Sequence, residues 1–394
     1  MEIESYKKAY EKGDILKLKR HVEEDITKWR NVPVNIAITG NSGAGKSSFI
    51  NSFRGLKANC EGAAKVGVEE TTILPTKYVH PVNDNLALWD LPGLGTQNFP
   101  KRTYLQDVKF DKYDFFLIIT ATRFTENDLW LAKEVEKRGK KFFFIRSKMS
   151  IDVQNDLYDN PKNSKDDTVS RVREAMENYI EKEELTNVKV FLIDNHCPCD
   201  YDYPDFLDKM IDAVPQIKHE AITLTVTHLT EKVIKKKEDL MRERMYKVAI
   251  CSAVEGILPL PGMNIVVDAV LIQNEINFYK KQLRLDDASL QEIARSMNKT
   301  TDELTASINV EKGLLKDPAK ILVQIMKEHF TRKGASFFAS VAFSIFGGLT
   351  AAGTSYMRTV DFLSNSLDKL VPIAIEINRL FIQELTSSTF LSKL

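Results

Sequence analysis

Eight consecutive residues restrict the fold of this chain more than any other feature. Gly40-Asn41-Ser42-Gly43-Ala44-Gly45-Lys46-Ser47 fits G-x-x-x-x-G-K-[ST], a loop whose backbone N–H groups cradle nucleotide phosphates. The flanks agree with that reading. Residues 34–39 (Val-Asn-Ile-Ala-Ile-Thr) have the β-branched character of a short strand running into Gly40. Residues 46–55 predict a helix that Gly55 stops. Strand, glycine-rich turn and helix N-terminus together set a row of N–H groups before an anion. The amides of Gly43, Gly45 and Lys46 are expected to wrap the phosphates, and Lys46 to neutralise the β/γ oxygens. Ser47 offers its hydroxyl to Mg²⁺. The phosphate-contacting set runs from Gly40 through Asn41, Ser42 and Ala44 to Ser48.

Downstream, Asp90-Leu91-Pro92-Gly93 closes a predicted strand that ends in Trp89. An aspartate at a strand's carboxyl end is placed to stand behind the Mg²⁺, and Gly93 lets its N–H approach a γ-phosphate closely. Between the two motifs, Glu61 to Thr72 reads as a loop whose threonine closes over Mg²⁺ when a triphosphate is present, Thr72 first and Thr71 second. The two motifs together describe a nucleoside triphosphatase of the switch type.

Strands are predicted at 34–39, 76–80, 86–90, 114–121, 141–147 and 188–193, with helices at about 46–55, 125–138, 167–183 and 204–213. Continuous apolar strands separated by helices mean a mainly parallel sheet covered on both faces. Residues 1–32 read as one or two amphipathic helices ending before Pro33, and 217–394 as helices with breaks at Pro259-Leu260-Pro261-Gly262, Gly313, Pro318, Gly334 and Gly347-Gly348. We therefore expect an α/β domain over 33–216, a boundary near 216–220, and an all-α domain formed from both termini.

Lysine plus arginine equals aspartate plus glutamate at 55 each, so no net field draws the chain to nucleic acid. The four cysteines and the non-apolar opening Met1-Glu2-Ile3-Glu4 predict a reducing, cytoplasmic setting. His196-Cys197-Pro198-Cys199-Asp200 is too crowded for a zinc site and reads as a surface loop near the base pocket.

Several longer stretches carry a family resemblance. Gly40 to Ser47, Gly62 to Thr72, Tyr78-Val79-His80-Pro81 and Trp89 to Gly95 resemble the immunity-related GTPases. So do Asn98-Phe99-Pro100, Tyr104-Leu105, Tyr113-Asp114-Phe115-Phe116, Ala121-Thr122-Arg123-Phe124 and Tyr201 to Pro204. The resemblance implies a Ras-like GTPase domain with a helical domain, GTP/GDP and Mg²⁺ as cofactors, and interferon-inducible, dynamin-like behaviour. It also implies self-association, or association with related GTPases, across the nucleotide face, and peripheral action at intracellular, pathogen-containing membranes. A switch glutamate assists hydrolysis in that family; Glu70 stands at the matching position, making Glu70, Lys46 and Thr72 the expected catalytic set.

The chain departs from the GTPase pattern at two points. Leu94 stands where Ras-type enzymes place a water-positioning glutamine. Guanine is ordinarily read by [NT]-K-x-D; here the strand leads into Ser147-Lys148-Met149-Ser150. Lys148 suits the base plane, but Ser150 replaces the aspartate, and losing that charge-assisted bond costs on the order of 1.5–3 kcal/mol. Asp152, two residues on, is a candidate replacement. The last base loop reads Asp194-Asn195 where the family tends to have Ser-Asn, so Asn195 is retained and Asp194 is a departure. Three readings follow: a GTP-hydrolysing switch, a weak or silent nucleotide-gated scaffold, and an NTPase without base preference.

The uncharged run 334–357 is long enough to span a bilayer, yet its small residues and Gly347-Gly348 favour a buried helical hairpin, as does the break in 248–272. An amphipathic stripe at 319–333 (Ile321, Leu322, Ile325, Met326, Phe330) is the candidate for peripheral membrane contact, against a core-facing alternative.

Overall fold

The computed structural model of the chain describes residue 6 and residues 14–67, 74–94, 99–185, 188–198, 200–257, 263–308 and 351–391. The elements begin with α1 (Ile15–Asn31), β1 (Val34–Thr39), α2 (Lys46–Phe53), β2 (Thr76–His80) and β3 (Asn83–Asp90). They continue with α3 (Tyr104–Asp107), β4 (Phe115–Thr120), α4 (Glu126–Lys137), β5 (Lys141–Arg146), α5 (Met149–Asp159) and α6 (Lys165–Glu181). After β6 (Val190–Leu192) the described elements are helices. They are α7 (Tyr203–Ala213), α8 (Gln216–Thr225), α9 (Glu231–Ile257), α10 (Met263–Gln282), α11 (Asp287–Ser296), α12 (Thr301–Ser307) and α13 (Ala351–Leu391).

Two compact units result, Arg30–His228, and Met1–Trp29 with Leu229–Leu394. The first holds a six-stranded sheet of order β2-β3-β1-β4-β5-β6. Every pairing is parallel except β2 with β3. Central strand β4, Phe-Phe-Leu-Ile-Ile-Thr, is buried throughout, as a strand covered on both faces must be. Edge strand β2 exposes Thr76 and Lys77. Apolar clusters built on the sheet include one around Phe124, Phe144 and Met149 and another around Tyr104, Tyr113 and Phe116.

The α/β unit extends to His228, beyond the expected boundary at 216–220. Helix α8 packs on β1 and β3, burying Ala221, Ile222 and Leu224. Its Thr225 hydroxyl accepts a bond from Asn83 Nδ2 at 3.1 Å, and His228 Nε2 lies 2.6 Å from the Ser52 carbonyl. Two further elements differ from expectation. Strand β3 starts at Asn83 rather than 86, because β2 pairs back on it antiparallel through His80 and Asn83. Helix α5 occupies 149–159, where no helix was predicted. Capping boxes at Thr125/Asp128, Ser164/Asp167 and Thr300/Glu303 set the starts of α4, α6 and α12.

The second unit packs α9, α10 and the 41-residue α13 around one core, which takes in Leu18, Val22, Met241, Met245, Tyr279, Leu363 and Leu367. Among the described residues no helix is long and apolar enough to cross a membrane. Residues 319–333 and 334–350 lie outside the described residues.

One polar group in this core carries a testable cost. Lys237 on α9 is 2 % exposed, and its Nζ donates to Gln282 Oε1 at 2.9 Å. Burial, then the nearby Arg284, lowers its pKa from 10.5 to about 7. Below about pH 7 both folded and unfolded chains carry the proton, and the full cost of burying the charge is present. Between about 7 and 10.5 only the unfolded chain binds the proton, so this group makes stability rise with pH. Lys237→Met should raise stability by a few kcal/mol, on the order expected for a buried ammonium, at pH 6.5 and by progressively less toward pH 10. Urea melts at the two pH values measure it; a pH-independent difference would refute the cost.

Candidate nucleotide site

Parallel pairing aligns the carboxyl ends of five strands along one edge of the sheet. Ile38 is level with Asp90, Thr39 with Ile118, Thr120 with Arg146, and Arg146 with Leu192. The loops that follow β1, β3, β5 and β6 emerge there together, where open α/β sheets bind ligands.

The loop after β1 requires its glycines. Gly40 has φ 140°, and a Cβ on it would sit 1.9 Å from the Ile119 carbonyl oxygen. Gly45 has φ 88°, and a Cβ there would crowd Asn195 Nδ2 at 3.2 Å and Ser147 Oγ at 3.3 Å. Gly45 opens α2 with no side-chain cap, which leaves its first N–H groups without a side-chain acceptor. Asn41, Ser42 and Gly43 are exposed, Ala44 is buried, and Gly45 to Ser48 are half-buried. Lys46 Nζ is folded over the loop, donating to the carbonyls of Gly40 at 2.8 Å and Asn41 at 3.0 Å.

The segments on either side of this loop are tied down by residues that sequence reasoning missed. Asn51, buried on α2, both donates to and accepts from the backbone of Ala64, at 2.8 and 2.7 Å. Arg54 donates to the carbonyls of Gly62 and Val79, each at 2.9 Å. Residues 61–67 are thus fastened to the phosphate-loop helix, while Thr71, Thr72 and Glu70 fall outside the described residues. After β3, Leu91 N–H donates to the Ile38 carbonyl at 2.9 Å. Tyr104, fully buried, donates to the Pro92 carbonyl at 3.0 Å, and Asn127 donates to that of Leu94 at 3.0 Å. Gly93 lies within this anchored turn, and Asp90, 2 % exposed, heads it.

The base end is clamped to the phosphate end. Ser147 Oγ lies 2.6 Å from the Ala44 carbonyl and 3.2 Å from that of Thr120. Asn195 Nδ2 donates to the Gly45 carbonyl at 3.1 Å, while its Oδ1 is buried with no partner among the described residues. Lys148 is exposed in a left-handed conformation (φ 61°) and caps α5. Ser150 donates its backbone N–H to Asp194 Oδ2 at 3.0 Å, and its hydroxyl lies 3.4 Å from Tyr201 OH. Burial, chiefly, pushes the Tyr201 phenol up to about 12, keeping it a neutral donor.

Asp152, the candidate replacement for the missing aspartate, is paired through one carboxylate oxygen with the guanidinium of Arg146, a residue 6 % exposed. Burial raises the Asp152 pKa and lowers that of Arg146, so each group needs the other to stay charged. The remaining described candidates, Gly40 to Ser48, Asp90, Gly93, Lys148, Ser150 and Asn195, lie on the strand ends, loops and helix starts that follow β1, β3, β5 and β6. The hard oxygens of Ser47 and the buried Asp90 fit the oxygen set that Mg²⁺ takes.

The sequence profile of the interferon-inducible GTPase (IIGP) family matches residues 1–366. The chain belongs to that family. Membership assigns the class of activity, hydrolysis of GTP to GDP and phosphate. Among its relatives, T-cell-specific guanine nucleotide triphosphate-binding protein 2 of Mus musculus is 33% identical over 347 residues, 87% of this chain and 80% of the relative. Interferon-inducible GTPase 1 of Mus musculus is 34% identical over 298 residues, 75% of this chain and 72% of the relative. Interferon-inducible GTPase 5 of Rattus norvegicus is 30% identical over 372 residues, 94% of this chain and 80% of the relative. The resemblance carried by the motifs between 40 and 204 is therefore a family relationship, and this interferon-inducible GTPase has the α/β nucleotide fold those motifs imply.

Proposed function

We propose that the chain is a GTP-driven switch that orders residues 61–75 around the triphosphate, self-associates through that face, and relaxes on hydrolysis. The observation that carries this reading is the clamp of Ser147 and Asn195 onto Ala44 and Gly45. It ties the phosphate loop to the two loops that carry the base-reading candidates. Lys46 and the uncapped start of α2 hold the phosphates, with Ser47, Thr72 and Asp90 as the Mg²⁺ set. Mg²⁺, when bound, supplies positive charge against the β and γ oxygens. Glu70, as the family resemblance implies, or a group from a partner chain assists the attacking water, Leu94 having no side-chain amide for that task. The partners are further copies of the chain or related GTPases, and the setting is cytoplasmic with peripheral contact to intracellular membranes through 319–333. Immune defence at pathogen vacuoles is the matching role.

The second reading, a nucleotide-gated scaffold with little turnover, is favoured by Ser150 and by Leu94, which stands where a water-positioning glutamine would be. Light scattering with a non-hydrolysable GTP analogue and with GDP tests the switch. The analogue should raise the molar mass at least to a dimer and GDP should not. Glu70→Ala should associate with GTP yet release no phosphate. Equal mass in both nucleotides would overturn the switch, and unchanged hydrolysis would remove Glu70 from the mechanism.

A further inference from the structure

A carboxylate lies beside position 150 on a neighbouring loop. Where guanine-reading loops ordinarily carry an aspartate, this chain has Ser150, and the loop after β6 carries one at Asp194. The structure brings the two positions into contact. Asp194 Oδ2 accepts the Ser150 N–H at 3.0 Å, and Oδ1 accepts the His196 N–H at 2.9 Å. Asp194 is 4 % exposed. A carboxylate has about four acceptor positions, and these two bonds fill half of them. Beside it in sequence, Asn195 Oδ1 is a second buried acceptor, with no partner among the described residues. Arg146, a buried cation on β5, is bound to Asp152.

We propose that Asp194 is the specificity-determining residue for the base, accepting the N–H donors of the guanine edge in place of the residue at 150. This rests on the nucleotide reading above and deepens it. An acceptor pair selects a ring that presents donors at both N1 and the 2-amino group. Adenine presents an acceptor at N1 and nothing at C2. Xanthine presents a carbonyl at C2, which a carboxylate repels and which accepts a hydrogen bond from an amide N–H. Ser150 supplies the backbone N–H that holds the carboxylate, with its hydroxyl steadied by Tyr201.

The test is the affinity of the full chain for mant-GTP, mant-XTP and mant-ATP in the wild type and three variants. The wild type should prefer GTP. Asp194→Asn, nearly isosteric and still able to accept the Ser150 N–H, should lose roughly 10- to 150-fold in GTP affinity, the worth of a charge-assisted bond, and gain for XTP. Ser150→Asp should weaken GTP binding, because it sets a second carboxylate against the first. The double exchange, Ser150→Asp with Asp194→Ser, should restore it. A purely structural role for Asp194 would lower all three affinities together, so the GTP-to-XTP ratio decides, and that ratio is unaffected by the fraction of protein folded. A wild type that prefers GTP, with an unchanged ratio in Asp194→Asn or a gain in Ser150→Asp, would overturn this assignment while leaving nucleotide binding intact. A wild type that binds no nucleotide would overturn the underlying reading as well.

Discussion

Lys46→Ala should lose about 10²- to 10⁴-fold in affinity for GTP, the worth of two charge-assisted bonds at 1.5–3 kcal/mol each. The ammonium already sits over the loop, held by the carbonyls of Gly40 and Asn41. Binding a triphosphate exchanges those neutral acceptors for anionic ones at little cost in side-chain order, because the chain's conformational freedom is already restricted. The effect should depend on phosphate count. GMP, lacking the oxygens that Lys46 addresses, should lose far less than GTP. Asn41 is exposed and its carbonyl can return to water, whereas Gly40 is buried, so its carbonyl carries whatever cost in stability the variant shows. Fluorescence titration with mant-GTP and mant-GMP, beside a thermal melt, separates these terms. Equal losses for the two nucleotides would place Lys46 away from the terminal phosphates.

The second large effect is on stability. Gly40→Ala sets a methyl group 1.9 Å from the Ile119 carbonyl oxygen, a backbone atom of central strand β4 that cannot rotate away. Relief requires β1 or β4 to move, and both lie inside the sheet. The backbone at Gly40 also has φ 140°, which L residues avoid. We expect a loss of about 3–5 kcal/mol, the range of a severe steric replacement in a core. For a unit of this size that lowers Tm by roughly 6–20 °C. Gly43→Ala is the matched control. It too has positive φ, at 74°, but a Cβ there meets nothing within 4 Å. Its cost should be limited to the left-handed backbone, about 1–2 kcal/mol. Similar melts for the two variants would mean that the contact with Ile119 does not constrain the fold.

Legibility in the sequence followed the range of the interactions. The phosphate loop was readable because strand, glycines and helix are contiguous, and β1 and β2 matched their predicted bounds for the same reason. Helix α5 was not, because Ser147-Lys148-Met149-Ser150 carries no helix-start signal. Its N-terminus is set by left-handed Lys148 and by Asp194, whose carboxylate comes from another loop. Strand β3 was read short because Asn83, Asp84 and Asn85 are polar, and only pairing with β2 makes them strand. In the site, the single-loop features Gly40 to Ser48 and Asp90 to Gly93 were visible. The ties made by Asn51, Arg54, Tyr104 and Ser147 join distant segments, and no local pattern announces them. Asp194 was visible only as an oddity. Its contact with Ser150 joins two separate departures.

We propose that this family member turns over GTP in a self-associated state. Phosphate release from GTP should be measured in Mg²⁺ over a hundredfold range of protein concentration, with ATP in parallel. The rate per protein should rise with concentration for GTP and stay near background for ATP. No release from GTP at any concentration, or equal release from both nucleotides, would refute it.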